Sequence, residues 1–285
     1  MVTDRDTNFV FFSSLISERP ELKSFWLYLE KILRRAGIGY GFIENTRDIW
    51  CRDYMPVQVA PKQFVQFTYS PSYCNTNKYR HLITDTTRVQ LSTPLAVTPL
   101  HNTLVIDGGN VVRSGNAVVM TERVFKENKA LMKETVTARL TQALKVEHLY
   151  FIPSQPYDMT GHSDGMVRFM DDHTLLVADF SRELDYWKTT YRNALQKTGL
   201  RLIDLPAVNT YVKNTQGDYT AIGCYINFAW IGNVILFPQF DLSEDKEALK
   251  EAKLIFRDYK VIPVPSSELA IDGGVLNCAT WNVRV

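Results

Sequence analysis

A recurring order of elements constrains the fold of this chain more than any other feature. Three segments each predict two short strands joined by a tight turn, then an amphipathic helix, then a further strand. In the first, residues 111–120 predict a hairpin around Ser-Gly-Asn, and a helix is expected from about residue 127 to residue 144. Residues 149–152 then predict a strand that Pro153 ends.

The second and third copies repeat this order. The second has a hairpin at 166–177 that turns at Asp171-Asp172, a helix near 184–198 and a strand at 200–205. The third has a hairpin at 225–237, a helix opened by the cap residue Ser243 and a strand at 261–264. A less regular copy has a hairpin at 56–68, which turns at Pro61-Lys62 and is followed by a polar stretch at 70–89.

The two ends of the chain complete each other. Residues 8–15, 21–36 and 39–43 predict a strand, a helix and a strand, but no hairpin partner precedes them. A strand near Cys278 could be that partner. We therefore expect an α/β fold of roughly five ββαβ units that close into a ring, with residues 1–285 as one domain. Equivalent loops of such a ring meet at its axis.

Composition excludes several classes of function. Lys plus Arg (32) nearly cancels Asp plus Glu (31), so nothing indicates a nucleic-acid or anionic-membrane partner. The polar start of the sequence does not resemble a secretory signal, and no apolar run could span a bilayer, which favours a cytoplasmic protein. The four cysteines lack CxxC spacing and the histidines lack HxH or HxxxH pairs, so we expect no metal and no disulfide.

Chemistry-bearing residues occur at the entrances to these units. Cys278 follows Gly273-Gly274, and a turn of this kind can expose a nucleophilic thiol. Upstream lie Asp53, Asp107 and the segment Gly161-His162-Ser163-Asp164. A lone cysteine is more often a small buried hydrophobe, and the Asp segments could be turns or surface ion pairs. Together they indicate a cysteine nucleophile, and the surplus of acids indicates a cationic substrate.

These motifs resemble those of the agmatine deiminase and bacterial-type peptidylarginine deiminase family. Its Trp-x-Arg-Asp-x-x-Pro segment is matched from Trp50 to Pro56, and its Gly-His-x-Asp segment from Gly161 to Asp164. The terminal Gly-Gly…Cys-x-Thr is matched from Gly273 to Thr280, and Tyr225-Ile226-Asn227-Phe228 resembles the family's Tyr-x-Asn-Phe strand. The resemblance implies the five-bladed α/β propeller (pentein) fold around a pseudo-fivefold axis.

The sequence departs from the family pattern in places. The usual Glu-Gly-Gly is Asp107-Gly108-Gly109 here, Asn277 stands where His commonly precedes the nucleophile, and Val275 replaces a third glycine. The tail from Cys278 to Arg284 also resembles that of amidinotransferases.

The resemblance implies a deiminase that hydrolyses a guanidino group to a ureido group, without a cofactor, through a covalent thiouronium on cysteine. Cys278 would be the nucleophile, His162 the general acid and base, Asp53 and Asp164 the guanidinium clamp, and Asp107 would orient His162 or the substrate. The substrate-binding residues would be Trp50, Arg52, Asn110, Asn227 and Gly274. Trp50 could stack on a cation.

The partner would be a small cationic guanidino compound, with agmatine, a step in polyamine biosynthesis, the leading substrate. Peptidylarginine or free-arginine deimination, amidino transfer and a non-catalytic binding role remain alternatives, as does a homodimer. We expect the segments 70–89 and 208–220 to form lids over the site, and Cys51, Cys74 and Cys224 to be incidental.

Overall fold

The computed structural model describes residues 1–93, 95, 97–181, 183–208 and 210–285. Short strands and helices alternate along these residues. The strands are β1 (Phe9–Ser13), β2 (Gly39–Glu44), β3 (Val57–Ala60), β4 (Gln63–Thr68), β5 (Gln90–Leu91), β6 (Leu100–Val105), β7 (Val112–Arg113), β8 (Ala117–Thr121), β9 (His148–Ile152), β10 (Val167–Phe169), β11 (Thr174–Ala178), β12 (Arg201–Leu205), β13 (Ala229–Ile231), β14 (Val234–Gln239), β15 (Lys260–Pro265) and β16 (Trp281–Val283). The α-helices are α1 (Leu15–Glu18), α2 (Lys23–Ala36), α3 (Cys51–Tyr54), α4 (Arg123–Glu127), α5 (Lys133–Leu144), α6 (Asp185–Gln196), α7 (Asp245–Ile255) and α8 (Ser267–Ile271).

Within the described residues these strands form five sheets that share one pairing pattern. In each, a strand runs antiparallel to the central strand, and the central strand runs parallel to the next. The orders are β3-β4-β6, β7-β8-β9, β10-β11-β12, β13-β14-β15 and β16-β1-β2, with β5 added at the edge of the last. The predicted repeat is confirmed by this pattern. A parallel pair needs a crossover connection, and in every sheet except β3-β4-β6 the described residues of that connection include an α-helix.

The pairing of the two ends of the chain is also confirmed. Strand β16 runs antiparallel to β1, with Phe9 opposite Val283 and Phe11 opposite Trp281. The strand begins at Trp281, a few residues beyond Cys278, so Cys278 itself lies in the turn that enters it. The loop carrying the thiol is thereby anchored to the N-terminal strand.

The helix predicted at 127–144 is wrong in its first turns. Helix α4 ends at Glu127 and α5 begins only at Lys133. The side chain of Asn128 ends α4, because its amide donates to the carbonyls of Val124 and Val105 and accepts from the Val105 N–H. Met132, which lies in the break between the two helices, is 72% exposed.

Smaller expectations also fail. Ser243 does not cap α7; its hydroxyl contacts Glu244, while the Asp245 carboxylate accepts the backbone N–H of Phe240. The hairpin expected to start at residue 225 starts at β13, so the Tyr225–Phe228 run precedes the strand. Cys51 opens helix α3, and Cys224 lies in the connection before β13. The polar connection from β4 to β6 contains no α-helix among its described residues.

Among the residues that the structure describes, the buried side chains form three apolar clusters. The largest lies around β10–β15 with helices α2, α6 and α7, a second around β6, β8 and α5, and a third around Phe11, Tyr54 and Trp281. The third cluster packs the C-terminal strand against α3, so two of the sequence motifs are held together by apolar contact.

We expect Leu140→Ala to lower the free energy of unfolding by about 2–5 kcal/mol, because its fully buried side chain would leave a cavity. Met132→Ala, at an exposed position, should change it by less than about 0.5 kcal/mol. Urea unfolding of both variants measures the difference. Equal losses would contradict the break between α4 and α5.

Candidate active site

The turn that carries Cys278 depends on the glycines before it. Gly273 has φ of +91°, a conformation that side chains rarely adopt. A Cβ on Gly274 would lie 2.6 Å from the ring of Trp50, so the indole packs directly on the turn. Because Gly274 has no side chain, Trp50 can lie directly beside the turn that carries the Cys278 thiol.

The thiol of Cys278 lies beside polar groups from two other segments. Its Sγ is 3.7 Å from Asp164 Oδ2 and 3.4 Å from Asn227 Oδ1. Asn227 Oδ1 also accepts the backbone N–H groups of Asn277 and Cys278, at 3.1 and 3.3 Å. Asn227 thus positions the backbone of Cys278.

Asn277 has a definite role in this geometry. Its Nδ2 donates to Asp164 Oδ2 at 2.7 Å, so the residue that replaces the family's common His orients a carboxylate beside the thiol. The sequence offered no signal for this contact.

His162 lies between two carboxylates. Its Nε2 donates to Asp107 Oδ2 at 2.9 Å, and its Nδ1 is 3.5 Å from Asp53 Oδ1. All three side chains are buried. The Nε2 atom is engaged by the hydrogen bond to Asp107, whereas the contact of Nδ1 with Asp53 is longer. A substrate nitrogen could therefore approach the ring at Nδ1.

The Gly108-Gly109 pair makes this cluster compact. A Cβ on Gly108 would lie 2.0 Å from the backbone oxygen of Arg52, and one on Gly109 would lie 2.6 Å from both Asp53 Oδ1 and His162 Nδ1. The Gly109 N–H donates to Asp53 at 3.0 Å, and its carbonyl accepts the N–H of Asp164 at 3.1 Å. Glycine here lets the backbone bond both to the Asp53 carboxylate and to the backbone of Asp164.

The charges of the cluster follow from burial and proximity. Burial lowers the pKa of His162, but the charge of Asp53 and the hydrogen bond and charge of Asp107 outweigh it and raise that pKa to about 10. Burial, with the nearby Asp164 and Asp53 carboxylates, raises the pKa of the Cys278 thiol well above its ordinary value. Burial likewise raises the pKa of Asp53. At neutral pH the cluster therefore contains a His162 imidazolium and a neutral Cys278 thiol.

A cavity of about 720 Å³ joins most of these groups. The predicted residues that line it are Trp50, Asp53, His162, Asp164, Asn227, Gly274 and Cys278. Asp107 is not among the lining residues; it lies behind His162. Parts of both predicted lids also line the cavity, including Tyr73, whose ring centroid is 6.2 Å from that of His162.

Two of the residues predicted to bind substrate do not line this cavity. Arg52 and Asn110 are buried and are not among the lining residues. Arg52 Nε donates to the carbonyl of Asn277 at 3.3 Å and Nη2 to Asn282 Oδ1 at 2.5 Å, so its guanidinium is used to hold the C-terminal segment. Asn110 Oδ1 accepts the backbone N–H of Thr121 at 2.8 Å.

Two of the other three cysteines also line the cavity, and the third is buried in the core. Cys74 and Cys224 line the same cavity as Cys278, although burial raises the pKa of each thiol to about 12. Cys51 is fully buried, with Sγ 3.2 Å from the carbonyl of Ala279. Within the described part of the chain, no group of His, Cys, Asp or Glu has the arrangement of a metal site, and no helix is long and apolar enough to cross a membrane.

We expect Asp107→Asn to lower the pKa of His162 below about 10, because the amide can still accept a hydrogen bond but no longer carries the charge that stabilises the imidazolium. An NMR titration of the His162 ring measures this. Asp204→Asn, which changes a solvent-exposed carboxylate on β12, is the matched control and should leave the His162 pKa unchanged. An unaltered His162 pKa in Asp107→Asn would show that Asp107 does not set the charge of the ring.

Known proteins resemble this chain along most of its length. It is 27% identical over 210 residues to a protein of Shewanella frigidimarina named "Putative agmatine deiminase", covering 63% of this chain and 56% of that protein. A protein of the same name from Yersinia pseudotuberculosis is 25% identical over 273 residues, covering 83% of this chain and 74% of that one. The chain thus matches little more than half the length of the Shewanella relative.

Solved structures share the fold. The agmatine deiminase of C. jejuni superposes with a TM-score of 0.77 at 15% identity, over 97% of this chain and 93% of that one. At this identity the likeness shows the fold. The model of the Porphyromonas-type peptidyl-arginine deiminase family matches residues 29–283, and the chain therefore belongs to that family.

Proposed function

We propose that this protein hydrolyses a guanidino group to a ureido group with release of ammonia, most readily on agmatine or another small arginine derivative. The observation that carries the proposal is the placement of Cys278 Sγ 3.7 Å from Asp164, in one cavity with His162 and Asp53. The names of the relatives, agmatine deiminases, agree with it.

The cluster suits a cationic substrate on charge grounds. Asp53, Asp107 and Asp164 lie near one imidazolium, so this buried cluster contains more carboxylates than cations. A guanidinium placed between Asp53 and Asp164 would offset that excess through charge-assisted hydrogen bonds. The same cation would lower the pKa of the Cys278 thiol, because an opposite charge nearby favours the thiolate.

The reaction then follows in balanced steps. As the cation binds, the Cys278 thiol loses its proton to solvent, and the thiolate attacks the central guanidinium carbon and forms a C–S bond, giving a tetrahedral adduct. The C–N bond to a terminal nitrogen breaks as His162 donates a proton, and ammonia leaves. Water attacks the resulting S-alkylthiouronium and returns a proton to His162; the C–S bond breaks and frees the thiol and the ureido product.

Each supporting residue has a place in this scheme. Asp107 holds the His162 ring by its Nε2, which leaves Nδ1 toward Asp53 and the substrate nitrogens. Asn227 and Asn277 fix the thiol and Asp164 relative to each other. The Trp50 ring, which packs on Gly274 and lines the cavity, could cover one face of the planar guanidinium.

We also propose that the five sheets close around a pseudo-fivefold axis and that residues 1–285 form one catalytic domain. The antiparallel pairing of β1 with β16 supports this, because it joins the two ends of the chain in one sheet. Such a ring would account for the meeting of loops as distant in sequence as those of Asp53 and Cys278.

The second candidate is an amidinotransferase, which would pass the same thiouronium to an amine; the tail after Cys278 supports it. Ammonia and ureido product formed without an added amine would separate the two. We expect agmatine to give both ammonia and a ureido product without an added amine. Free arginine and an arginyl peptide are assayed in parallel. Turnover that requires an amine acceptor would favour transfer.

We expect Cys278→Ser to lose turnover by several orders of magnitude while binding persists, because no base beside a serine hydroxyl could deprotonate it readily. Asp164→Asn should weaken binding as well, by about 1.5–3 kcal/mol, since it removes a charged acceptor. Calorimetric titration with agmatine and a ureido assay measure binding and turnover. Full activity in Cys278→Ser would remove the covalent mechanism.

A further inference from the structure

Three tyrosines form a cluster on the wall of the active-site cavity. Tyr157, Tyr211 and Tyr219 all line it, and we call them the tyrosine cluster. Their ring centroids are 5.7 to 6.2 Å apart, with interplanar angles of 88° between Tyr157 and Tyr211 and 78° between Tyr211 and Tyr219. Such tilted contacts are favourable for aromatic pairs and do not stack the rings face to face.

The cluster is not explained by core packing. Tyr157 is 56% exposed and Tyr211 is 37% exposed. Both also have left-handed backbones, with φ of +67° and +49°, which is unusual for a bulky side chain. Conformations of this kind concentrate at ligand-binding places, where surrounding contacts hold them.

The cluster is continuous with the turn that carries the nucleophile. A Cβ on Gly273 would lie 3.7 Å from the backbone oxygen of Tyr219. In the same loop, Asn214 Nδ2 donates to the carbonyl of Ile271 at 3.2 Å. A substrate whose guanidino carbon reaches Cys278 could therefore extend its other end toward these rings.

The cavity offers more room than a short alkylguanidine fills. Its volume of about 720 Å³ lies within the range of roughly 300–1,000 Å³ typical of sites for drug-sized ligands. Beyond the charged cluster, its wall includes the apolar side chains of Phe180, Val208, Ile222 and Ile226. This outer part suits an apolar or aromatic group.

The charges of the outer part disfavour a free carboxylate. The cations among the described lining residues are Arg19 and Lys78, apart from histidines. Lys78 Nζ is 2.8 Å from Asp218 Oδ2, and Arg19 Nη2 is 3.9 Å from Asp48 Oδ1. Each of these two cations is already paired with a carboxylate, so a carboxylate of the substrate would have to displace Asp48 or Asp218.

The same contacts limit the length of the ligand. Lys78 also donates to the carbonyl of Gln216 and Tyr79 donates to Asp218, so the two lid segments are joined to each other beside the cavity. A small molecule fits beneath this link between the two lid segments more easily than a polypeptide, whose chain would have to continue past the site on both sides.

We propose that the outer cavity binds an uncharged aromatic acyl group carried on the amine end of an aminoalkylguanidine, with the tyrosine cluster as its contact surface. The substrate class would be an N-acylated agmatine-like compound rather than the free diamine derivative. The inference rests on the proposed deiminase function, which it refines.

The test compares N-benzoylagmatine with agmatine in the wild-type protein. We expect N-benzoylagmatine to have a kcat/KM at least tenfold higher, and to bind Cys278→Ala at least tenfold more tightly by calorimetry. Alanine at Tyr157 or Tyr219 should reduce this preference by roughly three- to tenfold, the scale of one aromatic contact. Tyr186→Ala, which removes a 70% exposed tyrosine from α6, is the matched control and should leave the preference unchanged.

The outcomes separate the two proposals. Ureido product from agmatine, with no gain for N-benzoylagmatine in rate or in binding, would overturn the outer subsite alone. Tight binding of N-benzoylagmatine to Cys278→Ala with no product from any guanidine would support the subsite and overturn the deiminase. Free arginine preferred over N-benzoylagmatine, with loss of that preference in Lys213→Ala, would show that Lys213, which lies 4.7 Å from the Tyr219 ring, meets a carboxylate instead.

Discussion

The buried imidazolium of His162 is the interaction on which the site depends. A charged ring is costly to bury unless it is paired, and here Asp107 and Asp53 flank its two nitrogens at 2.9 and 3.5 Å. With Asp164 nearby, the carboxylates outnumber the cation, which suits the site to a further positive charge. Burial, together with the charges of Asp164 and Asp53, raises the pKa of the Cys278 thiol and keeps it protonated at neutral pH. In the function that we propose, substrate binding and activation of Cys278 are therefore linked through one balance of charges.

This balance requires segments that are far apart in the chain to be held closely. The backbone N–H of Arg52 donates to the carbonyl of Cys278 at 3.1 Å, and its guanidinium holds Asn277 and Asn282. Arg52 thus links the segment of Asp53 to the loop of Cys278. Gly109 brings Asp53 and Asp164 together by backbone hydrogen bonds that a side chain there would prevent. The residues between the reactive groups are therefore structural, although they belong to the same motifs.

The repeat and most of the residues that meet at the cavity can be predicted from the sequence, because hairpin turns, helical periodicity and motifs flanked by glycine are local signals. Sequence reasoning fails where tertiary contacts decide. Arg52 and Asn110 looked like substrate contacts by their place in motifs, yet both satisfy buried backbone groups. The helix predicted at 127–144 is too long because Asn128 forms a hydrogen bond to β6, which is remote from it in the sequence. The contact of Asn277 with Asp164 and the tyrosine cluster could not be anticipated, since both depend on loops that meet only in the folded chain.

The central claim is that Cys278 carries the guanidino carbon during turnover. Intact-protein mass spectrometry of the enzyme, quenched with acid during steady-state reaction with agmatine, tests it most directly. The account predicts a species heavier than the free protein by the mass of agmatine less ammonia, with the added mass on the peptide that contains Cys278 and absent from Cys278→Ala. Ureido product formed at the full rate by Cys278→Ala, or an adduct found on Cys74 or Cys224 instead, would contradict it.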